Sequence, residues 1–117
     1  MISKVNIAEQ AGAIHEHWRP VTIASLNGQE VKIAKFKGEF VWHSHKDEDE
    51  LFLGVKGYFR VEFRDHVAEI GPGDLIVVPR GVEHRTIAEN EAEALLFEPA
   101  GVRNTGNVFH PTLTAPQ

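Results

Sequence analysis

The chain has 117 residues, 42% hydrophobic and 25% charged, which fits one soluble globular domain and leaves little room for a second. A formal charge of −5 without any lysine or arginine run argues against a nucleic-acid or anionic-lipid footprint, and the absence of cysteine removes disulfides, thiolate zinc sites and cysteine nucleophiles. No apolar run approaches the roughly 20 residues of a membrane span, and residues 1–12 lack a secretory apolar core, so a soluble cytoplasmic protein is expected.

Asn6 followed by Glu9 reads as a capping box, and Gly12 as the stop, for about two turns of helix. A loop runs on to Pro20. From there strand signals take over. Val21–Leu26 and Val31–Phe36 flank Asn27-Gly28, a hairpin turn pair. Glu39–His45 is expected as a third strand, followed by the charged turn Lys46–Asp49 and a strand over Glu50–Val55. Tyr58–Arg64 alternates strictly, with Phe59, Val61 and Phe63 on one face. Val67–Ile70, Leu75–Val78, His84–Ala88 and Ala94–Glu98 complete about nine short strands, separated by Gly- and Pro-bearing turns. An all-β barrel or sandwich is the expected class. The division is residues 1–20 for helix and loop, 21–100 for the barrel, and 101–117 for an irregular tail that wraps the barrel or stays partly disordered.

Seven histidines call for a test by spacing. His43 and His45 stand two apart, so on a strand both imidazoles share a face with Val41, while Phe40, Trp42 and Ser44 point the other way. Two imidazoles facing an interior are costly unless their nitrogens are satisfied, and a divalent cation satisfies them well. Glu50 returns across the turn beside His45 and offers a carboxylate oxygen; Glu48 is its rival. His84 follows the Gly81 turn and can reach the same point from a facing strand. Each of these features alone is common without a metal. Parity from His43 puts Val41, Phe52, Phe59 and Val61 in an apolar lumen forming the pocket, and Glu98, in step with Leu96, near one end of it. Arg85 should face away from the metal. Trp18 and Trp42 are expected on an outer face or a subunit contact, and His15, His17, His66 and His110 on surface loops.

The stretch from Gly38 through His43, His45 and Glu50 to Gly57 resembles the first motif of the cupin superfamily. The stretch from Gly73 through Pro79 and Gly81 to His84 resembles the second. With Gly and Pro each at a background of about 5–7%, this many fixed residue types at set spacing is not accidental. Two departures appear: four residues rather than five separate Gly38 from His43, and Ala88 stands where an asparagine is frequent. The resemblance implies a small double-stranded β-helix, or jelly-roll, barrel. It also implies one divalent ion (iron, manganese, nickel, zinc or copper) on His43, His45, Glu50 and His84. Similar proteins include dioxygenases, isomerases and lyases acting on small organic molecules. Iron would favour oxygen chemistry, and zinc or manganese Lewis-acid work. A non-catalytic module that binds or senses a small ligand or metal is the alternative, and a purely structural barrel ranks behind both. Val21–Leu26, an edge strand, suggests a two-fold homodimer.

Overall fold

A computed structural model describes residues 1–116. Helix α1 spans Ile7–Gly12, and Asn6 caps it by accepting the Glu9 N–H on its side-chain oxygen at 2.9 Å. Seven strands follow: β1 Val21–Leu26, β2 Gln29–Glu39, β3 Glu50–Lys56, β4 Phe59–Phe63, β5 Val67–Ile70, β6 Leu75–Val78 and β7 His84–Pro99. All pair antiparallel, in the order β1-β2-β7-β3-β6, with β4 joined to β5 and β7. Asn27 and Gly28, both at positive φ, make the tight β1–β2 turn that those two residue types favour. No helix among the described residues is long and apolar enough to cross a membrane.

The strand count differs from the nine expected, for two reasons. The segments expected at 84–88 and 94–98 are one sixteen-residue strand. Its polar middle, Glu89–Glu91, reads as a turn in sequence but stays within β7 as an exposed irregularity, where the register against β2 shifts between Phe36 and Gly38. On one side of it β7 pairs with β4 and on the other with β3, which helps close the barrel. The strand expected over Glu39–His45 stops at Glu39; beyond it only His43 pairs, in a single bridge to His84. Gly38, at positive φ, lies opposite Ala88 in the register. The two departures from the motif pattern are thus neighbours at one irregular point of the ladder.

The barrel interior is filled by Phe36, Phe52, Phe59, Val61, Phe63, Ile70, Val78 and Leu96, with small alanines of β2 and β7 between them. The burial of β4 alternates as its sequence does. A second apolar cluster lies apart from this core: Ile33, Leu53, Leu95 and Phe97, on the opposite parity of β2, β3 and β7, pack with Ala11 and Ile14 at the end of α1. Both faces of this part of the sheet are therefore apolar, and the N-terminal segment covers the outer one.

Candidate metal centre

His84 opens β7 and Glu50 opens β3, so two donors stand at strand ends on the same rim. His43 and His45 reach that rim from the connection after β2. His43 exchanges two backbone bonds of 2.9 Å with His84, and the His45 carbonyl accepts the Gly81 N–H at 2.7 Å. Gly81 sits at φ +81, a conformation that glycine tolerates, and it turns the chain back towards His84. One donor atom from each of His43, His45, Glu50 and His84 lies within 4.8 Å of every other, and all four residues are buried. Ligands bonded at about 2.0–2.2 Å around one ion stand about 3–4.4 Å apart, so the set needs little adjustment to share a cation. Glu48 is half-buried and outside the cluster.

The protonation of the imidazoles follows from their other nitrogens. Nδ1 of His43 lies 2.9 Å from the Val41 carbonyl, and Nδ1 of His84 lies 2.9 Å from the Val82 carbonyl. A carbonyl only accepts, so each Nδ1 carries a hydrogen and Nε2 is the nitrogen turned inward. Burial, then the neighbouring His84, pulls the His43 pKa from 6.5 to about 4, so its ring is neutral at physiological pH. Burial alone would raise the Glu50 carboxyl, but His45 and His84, each with Nε2 3.5 Å from Oε1, together with Glu98, outweigh it and hold Glu50 low and ionised. His45 Nε2, His84 Nε2 and Glu50 Oε1 are nonetheless buried without a hydrogen-bond partner. Orphaned buried groups of this kind are rare and costly. Three imidazoles and one carboxylate meet at one point, and the donor atoms of His45, His84 and Glu50 there are orphaned, a set that fits a divalent transition-metal ion.

A small cavity of about 30 Å³, room for about two waters, adjoins the cluster and is lined by Trp18, Phe36, Phe40, Phe52 and Leu96 alongside His43, Glu50 and Glu98. Of the four expected pocket residues, Phe52 lines it; Phe59 and Val61 are packed in the core, and Val41 is half-buried and supplies its carbonyl to His43. Two expectations are corrected. Phe40 does not point away from His43: its ring lies 5.4 Å from the imidazole, because the chain leaves the strand at Glu39 and parity no longer propagates. Trp18 is not on an outer face. It is 7% exposed, stacks on Phe36 and Phe40 at 4.8 and 4.7 Å, and its Nε1 donates to the Lys37 carbonyl at 3.0 Å. Trp18 sits in a loop with no periodicity, at φ +62, so no local pattern betrayed it. Phe36 of β2 and Thr86 of β7 also line the cavity, and parity along those strands could have found them. Trp42 does face outward, under the guanidinium of Arg64 at 3.7 Å, and Arg85 turns away from the centre to Glu62.

Glu98 does enter the interior. It is 1% exposed, its Oε1 accepts from Lys32 Nζ at 2.9 Å, and its Oε2 is unpartnered. Burial and the nearby charge of Glu50 push its pKa up to about 8, against the pull of Lys32. The other histidines stay out of the centre: His15 and His66 are exposed, His17 pairs with Glu91, and the His110 ring accepts backbone N–H groups in its own turn.

Comparison with known proteins agrees with this geometry. An uncharacterized protein of Bacillus subtilis, YdbB, is 34% identical over 104 residues, covering 80% of this chain and 92% of that protein. The acireductone dioxygenase of Yarrowia lipolytica is 35% identical over 74 residues, 59% of this chain but only 43% of that enzyme. Among solved structures, a cupin-2 domain containing protein from Shewanella frigidimarina shares 37% identity with a TM-score of 0.80, over 81% of this chain and 93% of its own. The Cupin domain family profile matches residues 29–98. That match runs from the start of β2 almost to the end of β7 and takes in all four donor residues, and the chain is therefore a member of the cupin family.

Proposed function

We propose that this cupin is a metal-dependent enzyme acting on a small organic molecule, in the range of dioxygenase, isomerase or lyase chemistry. The observation that carries the reading is the set of buried, unpartnered donor atoms on His45, His84 and Glu50, converging with His43 beside an apolar cavity. His43, His45, Glu50 and His84 would hold one divalent ion: iron, manganese, nickel, zinc or copper. Bound there, such an ion supplies Lewis-acid polarisation of an oxygen on the organic molecule, or redox chemistry where the metal allows it. The chain does the rest. The Val41 and Val82 carbonyls lock two imidazoles with Nε2 inward, and Trp18, Phe40 and Phe52 give the adjoining cavity an aromatic wall. The similarity to an acireductone dioxygenase over the cupin segment supports the dioxygenase end of the range.

Metal analysis of tag-free protein, followed by oxygen-uptake and isomerisation screens with each of the five metals restored, tests this. About one ion per chain is expected in the wild type. A wild-type chain that retains no metal removes the proposal. One observation favours a second reading, a binding or sensing module: at about 30 Å³ the cavity is small for a substrate of several heavy atoms. Saturable ligand binding without turnover would select it. For assembly we infer a two-fold homodimer through β1, which is an edge strand with Val21 and Leu26 exposed.

A further inference from the structure

The segment 101–116 has no regular secondary structure, yet it is tied down along its length. Asn104 Nδ2 donates to the Trp18 and Leu113 carbonyls, and Asn104 Oδ1 accepts the Ala115 N–H. Arg19 donates to the Thr112 and Leu113 carbonyls from the N-terminal loop. Thr105, fully buried, bonds to Val108 and Thr114 within the segment. The segment is a strap, and it crosses the rim at Ser44, the residue between two of the four donors.

Outside the β2 ladder, His43–Ser44–His45 is held on one side by the bonds to His84 and Gly81. On its other side, both backbone groups of Ser44 are satisfied by Asn107: the Ser44 N–H donates to Asn107 Oδ1 at 2.9 Å, and the Asn107 N–H donates to the Ser44 carbonyl at 3.0 Å. Gly106 lies against the same peptide unit at φ +55. A Cβ there would overlap the Ser44 carbonyl and come within 3.2 Å of the His43 ring. The strap therefore touches the donor loop with a residue that has no side chain and then with a two-point backbone clamp. A loop that supplies two of four ligands must be held to a fraction of an ångström for their lone pairs to converge.

The geometry points to Gly106 and Asn107 as positioning residues for the metal: the C-terminal strap sets the affinity of the site by fixing the Ser44 peptide unit, and with it His43 and His45. This rests on the metal-binding reading above. It adds a determinant that lies outside both sequence motifs and outside the matched residues 29–98.

The test uses the full chain and zinc or nickel alone as probe, with affinity measured by chelator competition and amide hydrogen exchange measured on the metal-free protein. Gly106→Ala and Asn107→Ala are each expected to weaken metal binding by about 10- to 100-fold, the range for residues that orient ligands. Both should speed exchange of the Ser44 amide. Asn107→Asp keeps the acceptor and should stay near wild type in both measurements. Should Gly106→Ala fail to fold, the two Asn107 variants decide. Wild-type affinity in folded Asn107→Ala, or weakened affinity without faster Ser44 exchange, overturns the strap's role alone. A wild type that binds neither metal overturns the metal reading itself, and this inference with it.

Discussion

Trp18→Ala is the perturbation that most directly tests how the barrel mouth is built. Trp18 is 7% exposed, and a buried tryptophan removes roughly 200 Å² from water. At about 25 cal/mol per Å² that is about 5 kcal/mol, reduced to about 3–4 kcal/mol because the unfolded chain already hides part of the ring. The stacks on Phe36 and Phe40 add about 1 kcal/mol or more, and local collapse returns part of the total. A loss of about 4 kcal/mol results, in line with large-to-small changes in other cores. Against a total stability of about 5–15 kcal/mol, that brings the domain close to unfolding. Urea denaturation followed by circular dichroism measures it, with the remaining Trp42 as a fluorescence probe. Trp18→Phe keeps a stacking ring but leaves the Lys37 carbonyl without its donor, and should cost about 1–2 kcal/mol. A loss below about 1 kcal/mol for Trp18→Ala would refute the packing argument and return the indole to the outer surface.

His45→Ala should abolish stoichiometric metal binding while the apo barrel still folds, because it deletes one of the orphaned buried nitrogens along with the ligand; metal content and circular dichroism read the two effects separately. The metal-free protein should show two opposed pH dependences. The His43 pKa is depressed from 6.5 to about 4, so the unfolded state binds the extra proton in that window and stability rises with pH across it. Glu98 is raised from 4.5 to about 8, so the native state binds the extra proton and stability falls as pH rises through that range. The two nearly cancel between 4.5 and 6.5, and the surplus above 6.5 lowers stability by about 2 kcal/mol towards pH 8. Urea titrations at pH 5, 6.5 and 8 measure this, and Glu98→Gln should abolish the alkaline fall. Sedimentation at micromolar concentration should give a dimer; a monomer would remove the pairing through β1.

The four clustered residues were legible because they stand at the spacing of two motifs that resemble the cupin pattern: His43 and His45 two apart, Glu50 across one turn, and His84 after Gly81. Closing the barrel brings the second stretch to the first. The alternation of β4 was legible for the same reason, since a pleat with period two is a local property. The parity argument failed where the ladder is irregular. Beyond Glu39 the chain no longer alternates, and Phe40, assigned outward, lies beside His43.

What the sequence by itself determined, then, is the class of fold, the positions of most turns and the four residues that cluster at one rim, each marked by local spacing within its own stretch of chain. Only the tertiary structure decided what surrounds them. Trp18 lines the cavity, Lys32 meets Glu98 across the β2–β7 pairing, and the strap near residue 106 clamps Ser44. These contacts join segments tens of residues apart, and they form because closing the barrel brings chain ends to one rim, where burial and unsatisfied backbone groups select the partners. No periodicity in the chain encodes that meeting.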